Sequence, residues 1–174
     1  MIFNLFRKPP AADAALACYR SIVAQSRQER FYADWGIPDT VTGRFNMIAL
    51  HLGLMLRRLK SEPAARGFTQ ALVNLFFLDM DRSHRELGVT DLGVPRQIKK
   101  LGKVFYGIVG SVDEALGEPS ASALEQVLAR NIYMTSPAPH AHELAAYLVS
   151  EAARLDRVPT ISILAGQPQS DVAA

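Results

Sequence analysis

Few groups in this 174-residue sequence have residue types that could do chemistry, and their spacing decides what that chemistry is. The run Asp79-Met80-Asp81-Arg82-Ser83-His84-Arg85-Glu86 sets three carboxylates beside a histidine. Such donors could hold a divalent cation for metal-assisted hydrolysis, through Asp79, Asp81, His84 and Glu86. On a helix, however, Asp79 and Asp81 point about 200° apart. Asp81 and Arg85 stand at i and i+4, in the order that favours an ion pair. The spacing therefore predicts a salt-bridged helix face, with the hydrolase as its rival. His51 lies one turn from Met47 and Met55, and a histidine so placed reads as a hydrogen-bonded core residue. His140 and His142 are i, i+2, so a helix would hold them apart. Gly-x-Ser-x-Gly and glycine-rich phosphate loops are missing. Cys18 is the one cysteine, which excludes an intramolecular disulfide and zinc-finger or iron–sulfur ligation.

Three segments have the pattern of binding surfaces. Arg96, Lys99, Lys100 and Lys103 fall at i, i+3, i+4 and i+7, on one helix face, with Gly107 and Gly110 on the same side. This stripe suits phosphate, of RNA or of an anionic lipid surface, or is a solvated face. No aromatic interleaving supports reading of bases, and no DNA contact is expected. Phe31, Tyr32 and Trp35 put three aromatics in five residues, either an exposed partner anchor or a lid over the core. Ile2, Phe3, Leu5 and Phe6, followed by Arg7 and Lys8, could touch a membrane surface or dock on their own domain.

The elements that must position these residues read as helices. Phe45, Ile48, Leu52, Met55, Leu56 and Leu59 mark one apolar face, and Leu50 and Leu54 add a second. A helix over about 43–61 is therefore expected at the centre of the fold. Asp13 reads as the cap of a first helix running to about Arg27. A third long helix opens at Pro63, with Val73, Phe76, Phe77 and Met80 inward, and Gly88 stops it. Pro95 opens the next, with Ile98, Leu101, Val104, Phe105, Ile108 and Val112 buried. Ser122 and Glu125 form a capping-box pattern for a helix to about Met134. A last helix spans about His140–Asp156, and Ile161–Leu164 is too short to assign. No convincing strand pattern occurs. The reading is all-α: one globular domain of six or seven helices at 13–165, between an N-terminal arm (1–12) and a tail (166–174).

Hydrophobic residues make up 49% and charged residues 21%, which excludes disorder over the whole length. Net charge is only +2, but it is unevenly placed. Residues 1–110 hold 16 Lys+Arg against 9 Asp+Glu, and residues 111–174 hold 3 against 8. The first part thus favours an anionic partner, or the two parts complement each other. The longest charge-free apolar stretches have twelve residues, short of the roughly 18–20 that span a bilayer.

Two ordered runs carry a resemblance. One is Phe31-Tyr-x-x-Trp-Gly-Ile-Pro-Asp-Thr with Gly43-Arg-Phe-Asn-Met-Ile-x-Leu-His51. The other is Asp79-Met-Asp-Arg-x-x-Arg-Glu-Leu-Gly-Val-x-Asp-Leu-x-Val-Pro95, followed by the lysine-rich helix and Gly107. Over about residues 13–155 the sequence resembles the ubiquinol–cytochrome c chaperone family. Asp39, Gly43, Arg44 and His51 match the first block, and Asp81, Arg85, Glu86, Gly88, Asp91 and Pro95 match the second. The resemblance implies a non-enzymatic chaperone that binds newly made cytochrome b during assembly of respiratory complex III. It also implies a small partner chaperone and a ribosome contact in mitochondrial members. Lacking a targeting extension, the chain is expected to be a bacterial member, cytoplasmic or peripheral on the inner membrane. No cofactor is implied. Arg96, Lys99, Lys100, Lys103, Gly107, Phe31, Tyr32 and Trp35 are the expected client or partner contacts. A ribosome- or RNA-associated factor using the basic helix face is the alternative.

Overall fold

The computed structural model describes residues 11–86, 94–134 and 137–169. Residues 1–10 of the arm, Gly88, Asp91 and the end of the tail lie outside them, as do the side chains of His84 and Pro95. The described residues form α1 (Ala11–Ser26), α2 (Glu29–Ala33), α3 (Val41–Leu59), α4 (Arg66–Glu86), α5 (Val94–Gly117), α6 (Ala121–Leu128), α7 (Ala141–Arg157) and α8 (Thr160–Leu164). A 3-10 turn at Pro63–Ala65 leads into α4. A π turn at Ala129–Tyr133 extends α6 and stops at Met134, whose φ of 54° is left-handed. No strand occurs among the described residues, and the all-α reading holds.

Helix α3 is the centre. Thirteen of its nineteen residues are buried, and it packs against α1, α4, α5 and α7. It starts two residues before Gly43 because Thr40 caps it, the Thr40 hydroxyl accepting from the Gly43 amide at 3.1 Å. Gly43 has a steric reason to be glycine. A Cβ there would overlap the Pro38 carbonyl oxygen, which accepts from the Thr40 amide and closes the turn into α3. Gly53 lets α5 approach, since a Cβ there would lie 3.1 Å from a Val109 methyl.

An aromatic column ties three helices: Phe45 and Phe76 have centroids 5.4 Å apart, and Phe76 and Phe105 4.8 Å. Each is buried, and burial of such a side chain is worth about 1.5–3 kcal/mol. A second group joins Phe31, Trp35, His51 and Tyr147. The Arg30 guanidinium lies 5.1, 5.4 and 4.8 Å from the Phe31, Trp35 and Tyr147 rings. Arg58 clasps the C-terminal end. Its guanidinium donates to the carbonyls of Leu155 (3.0 Å) and Val158 (2.9 Å) and to the Thr160 hydroxyl (3.0 Å).

Three local expectations are corrected, and one unassigned stretch gains a structure. Asp13 lies inside the first turn of α1 rather than before it. The capping box does not form. Ser120 precedes α6 and shares a hydrogen bond with Ser122, while Glu125 is engaged by His142 at 2.9 Å. Val104 faces outward, 41% exposed, because Phe105 and Ile108 take the buried side of α5. Ile161–Leu164 belongs to a short helix, α8, held by the Arg58 clasp.

Candidate functional site

Helix α1 presents Leu16, Tyr19, Arg20 and Val23 at i, i+3, i+4 and i+7, so they share one face, and Arg27 follows in the turn just past its end. That face meets α4, and a cleft of about 420 Å³ runs between Arg20 and Val23 on one wall and Leu75, Leu78 and Arg82 on the other. Arg27 closes its end and also lines two further clefts. One, of about 580 Å³, lies against Glu29, Tyr32, Asp39 and Arg44. The other, of about 220 Å³, lies against Val41, Phe45, Met80, Ser83 and Glu86. Arg27 is exposed, so one cation borders all three recesses.

The polar groups of this surface are held from below. The Tyr19 hydroxyl donates to Asp79 at 2.9 Å, joining α1 to α4. Burial, the Asp79 charge and that bond raise the Tyr19 pKa, so it stays a neutral donor. Arg44 grips Asp39 with two bonds, 2.7 and 3.2 Å, and this holds the Asp39 carboxyl below its usual range. Both partners are more than half exposed, and water and salt screen such pairs. Stability thus accounts for little of the Asp39–Arg44 pair; its visible effect is to shape a cleft wall. Leu78 and Val41 are 49% and 46% exposed. The surface therefore offers apolar side chains bordered by Arg20, Arg27, Arg44 and Arg82 and by Asp79 and Glu86. Such a surface can hold an apolar segment with polar flanks.

The two sequence blocks meet here. Arg44 from the first and Glu86 from the second line the same cleft, with Phe45 and Ile48 beside Asp79, Met80 and Ser83. Asp81 turns away and takes Arg85 at 2.8 Å, as its spacing predicts. Asp79 and Asp81 therefore serve different partners, and no group of three or more metal-ligating side chains occurs among the described residues.

His51 is 4% exposed and structural. Its Nδ1–H donates to the Met47 carbonyl at 2.7 Å, which leaves Nε2 to accept from the Tyr147 hydroxyl at 2.7 Å. Gln25 donates to that hydroxyl at 3.0 Å. Burial pulls the His51 pKa down to about 4, so the ring is neutral. Cys18 is buried and its thiol is pushed up to about 12, which removes it as a nucleophile.

The expected contact residues separate. Phe31 is fully buried beneath Arg30 and against His51, so it serves as the lid, not as an exposed anchor. Tyr32 and Trp35 are half-buried; Tyr32 lines the cleft of about 580 Å³ and donates to the Ser26 carbonyl at 2.9 Å. Arg96, Lys99, Lys100, Lys103 and Gly107 are all exposed on α5. They stand across α4 from the clefts, since Phe77 faces Gly102 of α5 while Leu75, Leu78 and Arg82 face α1. Arg27, Leu78 and Val41 were not legible as site residues. The apolar and basic i, i+3, i+4, i+7 pattern on α1 was the available signal.

Fold and site together define an all-α binding domain, with open amphipathic clefts and a cationic helix. The sequence pattern of the ubiquinol-cytochrome C chaperone family matches residues 33–171, and the chain belongs to that family. It is similar to the crystal structure of the Cbp3 homolog from Brucella abortus: TM-score 0.83, 42% identity, covering 95% of this chain and 94% of that one. It is also similar to ubiquinol-cytochrome-c reductase complex assembly factor 1 of Xenopus laevis. There the identity is 23% over 104 residues, 59% of this chain and 52% of the frog protein. The mouse protein of that name is 26% identical over 104 residues, 35% of its length. The chain thus spans about half, or less, of these vertebrate relatives.

Proposed function

We propose that this chain is a non-enzymatic chaperone that holds newly made cytochrome b during assembly of ubiquinol–cytochrome c reductase. Family membership supports the complex. The convergence of both family blocks on the Arg27-centred clefts carries the mechanism. The mechanism is passive. Leu78, Val41 and the clefts beside them shield an apolar segment of the client. Arg20, Arg27, Arg44 and Arg82 satisfy polar or acidic groups at its ends. Release follows when later assembly steps give that segment a better-matched surface. None of the described helices is long and apolar enough to cross a membrane. The chaperone works as a peripheral protein on the cytoplasmic face, where a partner chaperone and the ribosome are its neighbours.

The test is a crosslinked pull-down of the tagged chain from its own cells, before and after ribosome removal. Cytochrome b is expected as the leading captured protein in both. Ribosomal proteins alone, lost with the ribosomes, would overturn the reading.

A further inference from the structure

The cleft face leaves one charged surface unused. Arg96, Lys99, Lys100 and Lys103 stand on one side of α5, all exposed, and none makes an ion pair or hydrogen bond among the described residues. One α5 carboxylate is already matched. Asp113 accepts from Arg57 at 2.6 Å and from Lys60 at 3.0 Å, so its carboxylate does not offset the four cations. Two apolar side chains border the stripe: Tyr106 is 60% exposed and Val104 41%. At 100° per residue, Tyr106 falls on the Lys99 margin and Val104 on the Lys100 margin. Between them, the Gly107 and Gly110 positions have no neighbour within 4 Å of a Cβ among the described residues, so none of those residues rises above the lysine stems there.

We propose that the first four turns of α5 rest on an anionic phospholipid surface. Lysine and arginine heads reach the headgroup phosphates, and their methylene stems, Val104 and the Tyr106 ring lie at the interface. Cations bordered by a tyrosine and an aliphatic side chain match a lipid boundary, which takes charge and apolar area together. RNA would satisfy the cations but leave Val104 in water. The contact ends before Glu114, which shares the stripe's face about three turns beyond Lys103 and would be repelled. The helix therefore meets the surface by its N-terminal half. This inference does not depend on what the clefts hold.

The test is flotation of the full chain with phosphatidylcholine vesicles, with and without phosphatidylglycerol. Binding is expected only to the anionic vesicles, and added salt should release it. Reversal of three lysines (Lys99→Glu, Lys100→Glu, Lys103→Glu) should lower partitioning about 100-fold, at roughly a fivefold loss for each. If that variant misfolds by circular dichroism, the glutamine triple at the same sites replaces it and should also lose binding. Glu114→Lys should raise partitioning about fivefold by extending the stripe. Tryptophan emission from Tyr106→Trp should shift to the blue on anionic vesicles. No flotation, or flotation unchanged in the folded lysine variants, overturns the proposal. Binding to an RNA hairpin without any vesicle binding also overturns it, in favour of a nucleic-acid surface.

Discussion

The Tyr19 hydroxyl donates to the Asp79 carboxylate at 2.9 Å, across sixty residues of sequence. This bond pins α1 to α4 where two of the Arg27-bordered clefts meet. Tyr19 is only 6% exposed, so Tyr19→Phe leaves Asp79 without its buried donor. Hydrogen bonds to charged groups are worth about 1.5–3 kcal/mol, and a loss of that size is expected in urea unfolding. A variant as stable as the parent would show that the α1–α4 wall stands without it.

Gly43→Ala should destabilise although alanine is the better helix former. The added methyl meets the Pro38 carbonyl oxygen, a backbone atom that also closes the turn through the Thr40 amide. Overpacking of this kind costs about 1–3 kcal/mol. Thermal unfolding checks it, and a raised midpoint would contradict the steric account.

His51 makes stability depend on pH. Burial leads its downward shift to about 4; Glu151 opposes the shift and Arg30 adds to it. The unfolded histidine titrates near 6.5, so between these values the unfolded chain binds the extra proton. Its contribution is present above about pH 6.5 and fades as pH falls through 4, by about 2 kcal/mol between pH 7 and 5. Urea titrations at both pH values should show that loss, and His51→Gln should reduce it.

Arg58 joins α3 to the ends of α7 and α8 by three hydrogen bonds, with its side chain 13% exposed. Lysine cannot reproduce that fork. Arg58→Lys should lose about 2–3 kcal/mol and speed amide exchange in α8 before the rest of the chain. Uniform exchange would mean the clasp is not local.

How much of this was legible follows from the range of each interaction. The periodicity of α3 is local, and so is the i, i+4 pairing of Asp81 with Arg85; both were readable. The capping pattern at Ser122 and Glu125 was local too, yet His142, seventeen residues on, engages Glu125. Val104 followed the apolar pattern outward because Phe105 fills the space beside Phe76 and Phe77. The clefts were least legible. Their walls come from α1, α2, α3 and α4, and only packing shows that Arg27 stands among Leu78, Val41 and Arg44.

Receipt of the client by the Arg27-bordered face can be read at single residues. A photo-crosslinking residue placed at Leu78, at Val41, or at Val149 on α7 tests it directly, since all three are exposed and Val149 lines none of these clefts. Cytochrome b should be captured from Leu78 and Val41 in living cells and not from Val149. Capture from Val149 alone, or equal capture from all three, would contradict the account.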